Sequence, residues 1–228
     1  LSGREHNLLL GQTDTGNAGR LREIFPFLSP SPTCHSLSVG FHDSLDCGTR
    51  SYLDFIRKTD LSPTGHPIAP VFGRYSTAKN PFSNHNPQIT ADRVMWDILQ
   101  EGWHGGFGLE ANRLRTAEDI DRYRRCGYSR FSIDANPFID GRADHMSHGE
   151  LRERSESLPW RELDTCMEDV LIRLCDRIVD LGPCRVLLPR EEVFRAMVKY
   201  GTAIAHAAEL SGFLSRTGNR SEPTWEVA

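Results

Sequence analysis

Three acidic residues stand where apolar runs give way to small polar ones. Asp43 follows SVGFH, Glu110 follows FGL and Asp134 follows FSI. A carboxylate at the end of a buried strand can take a hydroxyl proton or bind a metal ion. Groups suited to gripping a polyhydroxylated anion lie near them in the chain. Arg74 and Tyr75 close the run APVFGRY, and an arginine can hold a carboxylate through two parallel hydrogen bonds. Asn112 and Asn136 each follow an acid by two residues, and an amide both donates and accepts. His42, beside Asp43, is the histidine best placed for acid–base work. Taken singly, Asp and Asn at strand ends are ordinary turn formers and helix caps. The repetition of an acid at three strand ends is what points to a site.

The elements that would position these residues alternate. HSLSVGFHDS reads as a first strand and TRSYLDFIRK as a helix with Tyr52, Phe55 and Ile56 on one side. HPIAPVFGRY is a second strand, and its two prolines make it begin late or interrupt its hydrogen bonds. After the polar loop STAKNPFSNHNPQIT, Thr90 is the expected cap of a helix over ADRVMWDILQEG, stopped by Gly102. GGFGLEA is a third strand. Thr116 and Asp119 open the helix AEDIDRYRRC, and Gly127 ends it. YSRFSIDAN is a fourth strand. Residues 141–160 are charged, rich in Ser and His, and read as an excursion or lid. Helices are expected over DTCMEDVLIRLCDRIVDLG and EEVFRAMVKYGTAIAHAAELSGFL, and TWEVA opens a fifth strand. Residues 11–20 read as a loop leading into the short helix LREIF.

This order implies parallel strands joined by right-handed crossovers. The fold class is α/β: a (β/α) TIM-type barrel, or the first half of one, with flanking helices. Residues 1–34 form an N-terminal segment and linker, and 35–228 the barrel portion. An open doubly wound sheet is the competing arrangement, but no strand is followed by a G-x-G-x-x-G or a P-loop. Site residues of a barrel sit where strands end.

Composition narrows the class. With 228 residues, 38% hydrophobic, 25% charged and a net charge of −4, the chain has the makeup of a globular protein and no electrostatic footprint for nucleic acid. No run is long enough to span a bilayer, and LSGREHNLLLGQ lacks the pattern of a secretory signal. Without an initiator Met, the chain reads as a fragment or a processed product. Its six cysteines contain no CxxC pair and read as free thiols in a reducing cytoplasm. His145 and His148, in HMSH, have metal-ligand spacing but no third ligand nearby in sequence.

The stretch VMWDILQEGWHGGFGLEANRLRTAEDIDRYRRCGYSRFSIDANPFID resembles the tagaturonate/fructuronate epimerase family. Trp96, Gln100-Glu101-Gly102, Phe107-Gly108, Glu110, Ala111, Glu118-Asp119, Gly127 and Ile133-Asp134 fall on that family's pattern. VGFHDSLDCGT is similar to the family's G-x-G-D-R-L-G turn, with Asp43 at its acid. The resemblance implies a TIM-type barrel using a divalent metal ion (Zn, Mn or Ni). It implies an isomerase that inverts a hydroxyl-bearing carbon two bonds from the keto group of a sugar acid. No carbonyl adjoins that carbon, so the implied route is metal-assisted, by retro-aldol cleavage and religation or by transient hydride transfer. Asp43, Glu110 and Asp134 take the catalytic roles, and His42, Arg74, Tyr75, Gln100, Asn112 and Asn136 bind substrate.

Departures accompany the likeness. The family's A-D-A-D-H becomes Leu109-Glu110-Ala111-Asn112-Arg113, replacing an acid by Asn and a His by Arg, which stays protonated. The D-P-S-D-H-V turn becomes Asp134-Ala135-Asn136-Pro137-Phe138-Ile139. These losses favour an alternative: a catalytically lapsed carbohydrate-binding or regulatory protein on the same barrel. Four βα units and a stub make about half a barrel, which leaves sheet edges and an apolar face open. Such a half pairs with a second copy as a homo-oligomer, belongs to a longer chain, or is a truncated product.

Overall fold

The structure, a computed structural model, describes residues 10–33, 37–41, 48–58, 68–76, 86–217 and 226–227, with backbone alone for 74–76 and 226–227. It divides into two compact units, Leu1–Ser132 with Gly218–Ala228, and Ile133–Thr217.

The first unit is built on a parallel sheet. β1 (Ser38–Gly40), β2 (Ala69–Ser76), β3 (Gly108–Leu114), β4 (Arg130–Ile133) and a final short strand over Glu226–Val227 follow one another in that order across it. Ser38 pairs with Ala69, Val71 with Gly108, and Arg130 with Glu226, each in parallel. These strands, four of any length and the short closing one, form with their flanking helices a curled half-barrel, one of the two arrangements that the alternation allows. Strand β2 starts at Ala69 and carries Pro70 as its second residue, in register with Val39.

Helices fill the crossovers. α1 (Thr15–Ile24) occupies most of the stretch expected to be a loop. Its polar residues and two glycines hide the signal, but Asp14 caps it by accepting a hydrogen bond from Asn17 N at 2.7 Å. Tertiary contacts then hold it, with Ala18 fully buried and Arg22 paired to Asp92 at 2.8 Å. α2 (Thr49–Lys58) matches the expected segment residue for residue. α3 (Pro87–Gln100) begins before the expected cap at Thr90. Asn86 caps it and Pro87 takes its first position, while Thr90 is buried within it. α4 (Ala117–Arg125) is capped by Thr116, which accepts from Asp119 N at 3.1 Å, and Gly127 follows at φ +81°. Aromatic rings cross the unit. Phe72 lies 6.0 Å from Phe41 and 6.4 Å from Phe107, and Phe41 stacks on Tyr52 of α2 at 4.4 Å.

The second unit departs further from expectation. The excursion over 141–160 is not irregular: it contains α5 (His148–Glu156), opened by a reciprocal capping box between Ser147 and Glu150. The helix expected over 164–182 is only α6 (Met167–Leu174). The chain then turns through Asp176 at φ +57° into an antiparallel hairpin of β5 (Ile178–Asp180) and β6 (Arg185–Leu187). The apolar spacing continues through the break, so periodicity alone does not reveal it. β-branched Ile178 and Val179 followed by Gly182-Pro183 are the local cue. The closing strand over Glu226–Val227 is β7.

α7 (Arg190–Thr217) supplies the second unit's core through Val193, Phe194, Met197 and Val198, packed with Ala143 and Leu151. Asp140 N donates to Lys199 O at 3.0 Å, and the Asp140 carboxylate accepts from Arg142 at 2.7 and 2.8 Å. These guanidinium bonds, ahead of the backbone bond from Arg142, hold the Asp140 carboxyl at a pKa of about 2. Its folded pKa lies below the unfolded value of about 3.9. The stabilisation is therefore present above that value and lost as pH falls through about 2. Asp140→Asn is expected to destabilise the protein at pH 7 by no more than about 1 kcal/mol for so solvated a pair, read as a small fall in thermal midpoint. The gap between variant and parent should close in melts near pH 2.

Candidate active site

Glu110 is the central acid of the first unit. Strand β3 starts at Gly108, three residues later than the apolar run, after a turn in which Trp103 Nε1 donates to Gly106 O at 2.8 Å. Glu110 therefore lies within the strand, not at its end. Its side chain is 5% exposed, and its Oε2 sits 3.6 Å from Nε of Arg130, the first residue of β4. Adjacent-strand bonds set that approach: Ser129 N donates to Leu109 O at 3.1 Å, and Leu109 N to Ser129 Oγ at 3.2 Å. A carboxylate this buried needs a cationic or hydrogen-bonding neighbour, and Arg130 supplies the charge. The sequence carried a sign of it, an arginine inside the apolar run YSRFSI, but gave no reason to pair it with Glu110.

The neighbouring strand is irregular at the same level. Val71 and Phe72 pair with Gly108 and Leu109, but Tyr75 and Ser76 pair with Ala111 and Asn112, so β2 carries one extra residue opposite Glu110. Gly73 absorbs it at φ +76°. A Cβ there would meet the Tyr128 ring at 3.4 Å and Glu110 O at 3.6 Å. Bulges of this kind recur beside active sites, where they re-aim the strand. Gly73→Ala is expected to cost about 1–2 kcal/mol from the left-handed backbone alone, read as a lowered denaturation midpoint.

The other sequence candidates fall out as follows. Backbone register places Arg74 in the bulge of β2, with Gly73 opposite Glu110, and Tyr75 just after it. Asn112 is half-buried in β3, paired in register with Ser76. Arg113, at the position of the family's His, is exposed at φ +59°. Gln100 is exposed at the C-terminal end of α3, before the chain enters β3. Next to it, Glu101 takes bonds from Arg50 and Arg57 of α2, which lower its carboxyl pKa. His42 and Asp43 lie outside the described residues. In the second unit, Asp134 directly follows β4 and is 7% exposed; its Oδ1 accepts from Asn136 N at 3.2 Å, an Asx turn that leads into a single 3-10 turn. Asn136 itself is exposed. His148 packs edge-on to Phe194 at 5.6 Å.

No three His, Cys, Asp or Glu side chains among the described residues come together to hold a metal ion. Cys126, Cys166, Cys175 and Cys184 are free thiols. No helix among the described residues is long and apolar enough to cross a membrane.

The family model described as tagaturonate epimerase matches residues 2–223. The chain belongs to the tagaturonate epimerase family. A tagaturonate/fructuronate epimerase of Thermotoga maritima is 25% identical over 142 residues, covering 62% of this chain and 28% of that protein. Crystal structures of the fructuronate-tagaturonate epimerase from Cohnella laeviribosi superpose on the whole chain. The TM-score is 0.74 for the native form at 20% identity, and 0.79 at 20% identity for one of the glycerol complexes. The chain covers 44% of each. At that identity the superposition speaks for the fold alone, and it bears out the half-barrel. The chain thus spans less than half the length of these epimerase relatives, with Glu110 and Arg130 inside the matched span.

Proposed function

We propose that the polypeptide carrying this chain epimerises a keto-uronate of the tagaturonate/fructuronate kind. The observation that carries the reading is the family match over residues 2–223, and the buried Glu110 beside Arg130 gives it chemistry. Run as a retro-aldol cleavage, the reaction starts by removing the proton from the hydroxyl on the carbon to be inverted; its C–O bond becomes an aldehyde carbonyl as the C–C bond toward the keto group breaks, the electron pair passes to the enolate of that keto group, and re-addition to the other aldehyde face returns the proton. A carboxylate desolvated in a strand suits that task, since its charge is held in place and not shared with water. In this reading Glu110 and Asp43 take and return substrate protons. Arg74 grips the substrate carboxylate, and Tyr75, His42 and Asn112 hold its hydroxyl and keto oxygens. Gln100 contributes only if substrate reaches the start of β3.

The divalent ion that the resemblance implies does not fit the described residues on their own. Arg113 and Phe138 stand at the family's histidines and Asn112 at one of its acids, and none of these is a good ligand for such an ion. No step is routed through it. The same replacements favour the second reading, a protein that binds sugar acids without turning them over. Isothermal titration of tagaturonate, with and without added Mn²⁺ or Zn²⁺ and paired with a turnover assay, separates the two. Binding with turnover supports the epimerase, binding without turnover in any metal supports the lapsed site, and no binding removes both.

A further inference from the structure

One side of the β3–β4 pair is apolar and the other is polar. Leu109 and Ala111 of β3 and Phe131 of β4 are fully buried. Side chains alternate along a strand, so Glu110 and Asn112 project from the other side of β3, as Arg130 and Ser132 do from β4. The 3.6 Å approach of Arg130 Nε to Glu110 Oε2 shows that the two polar rows share one side. Glu110 is 5% exposed there and Arg130 27%, while Asn112 and Ser132 are half-buried. The backbone around Arg130 is held on both edges. Its neighbour Ser129 is bonded to Leu109 through N–H and hydroxyl alike, and Arg130 itself stands in register with Glu226 of β7.

An ion pair taken out of water adds little stability over apolar side chains of the same volume. What it does secure is a charged carboxylate where water does not solvate it. The separation is informative as well. At 3.6 Å, Arg130 Nε lies outside the hydrogen-bond range of about 2.7–3.2 Å, so it acts on Oε2 through its charge. An arginine keeps its own proton and so cannot take the substrate's.

We infer that Arg130 is the positioning residue of Glu110, holding its carboxylate charged and in place before the substrate proton arrives and drawing it back to that state afterwards. The inference rests on Glu110 being the proton-handling acid of the proposed epimerase. When the substrate hydroxyl gives its proton to Glu110, the carboxylate becomes a neutral acid and its attraction to Arg130 falls. When the proton goes back to the substrate oxygen on re-addition, the attraction is regained. Arg130 ends as it began. It works through Glu110 and does not grip the substrate.

A kinetic double-mutant cycle on the protein as its gene encodes it tests this, with tagaturonate turnover followed for the parent, Arg130→Met, Glu110→Gln and the double variant. Arg130→Met keeps an apolar stem and removes the charge. It should lower kcat about 10–100-fold, the scale of a misplaced reacting group, and move KM by less than about threefold. Arg130→Lys, which restores the cation, should recover most of the loss. The double variant should be no slower than Glu110→Gln, because a positioning residue has nothing left to position. Arg130→Met may melt early by circular dichroism with Glu110 left as a lone buried charge; the comparison of Glu110→Gln with the double variant, which removes both charges, still decides. A further 10–100-fold loss in the double variant overturns the inference, since Arg130 then acts on something other than Glu110. So does a raised KM with kcat unchanged, the mark of a substrate grip. A parent that turns over neither tagaturonate nor fructuronate removes the proposed function and this inference together, whereas an active parent with independent losses removes this inference alone.

Discussion

Glu110→Gln should stop epimerisation, with kcat lowered by about 10²–10⁴-fold, the range expected when a positioned acid–base group is lost. Glutamine keeps the shape and the buried amide oxygen that can still accept a hydrogen bond, so the strand has no packing reason to fail. The thermal midpoint should stay near the parent's, and KM should move far less than kcat. The variant loses the charge opposite Arg130, 3.6 Å away, and with it the ability to take a proton. A purely structural carboxylate gives the opposite pattern, a lowered midpoint with turnover per folded molecule retained. Asp134→Asn is a useful contrast. Its Oδ1 holds Asn136 N, and an asparagine oxygen can hold the same bond. A large fall in kcat there would assign Asp134 a role in proton transfer beyond the turn.

Phe72→Ala should be the most destabilising single change in the first unit, at about 3–5 kcal/mol. Its ring is 3% exposed and stands between Phe41 on one neighbouring strand's side and Phe107 on the other. Removing it opens a cavity at the centre of the row that ties β1, β2 and β3 to α2 through Tyr52. The next residue is Gly73, whose left-handed backbone sets the register opposite Glu110. The cavity should therefore cost activity as well as stability, seen as a lower urea midpoint together with lower turnover at temperatures where the variant is still folded. The smaller truncation Phe72→Leu, which keeps an apolar branch but loses the ring contacts, should cost less of both.

How much of this was legible in the sequence depends on which signal carried it. Alternation of short apolar runs with helical segments was enough for a parallel α/β sheet, and the resemblance narrowed it to half of a barrel. The cap residues Thr116, Gly127 and Gly102 fixed their helix ends, because capping is a local interaction that sequence spacing reports directly. The last turn of α1 falls on the expected helix LREIF, but its first turns were hidden because they are polar and glycine-containing, and Arg22 holds the helix to Asp92 of α3. The hairpin after α6 was hidden because Met167, Leu171, Leu174, Ile178 and Leu181 keep a helical spacing straight through it. At the site, the type of residue was legible and its placement was not. The run from Gly105 puts Glu110 at a strand's end, but the turn through Gly106 delays the strand to Gly108 and leaves Glu110 within it. Its neighbour Arg130 could not be found, because inter-strand register depends on Ser129 and Leu109 exchanging bonds across twenty residues of chain.

The most direct measurement is ¹H NMR of tagaturonate incubated with the protein as its gene encodes it, in buffers supplemented in turn with Zn²⁺, Mn²⁺ and Ni²⁺. The account predicts that fructuronate signals grow until both epimers stand at equilibrium, and that starting from fructuronate reaches the same ratio. Tagaturonate left unchanged in every buffer, by a protein that is folded and binds it, would contradict it.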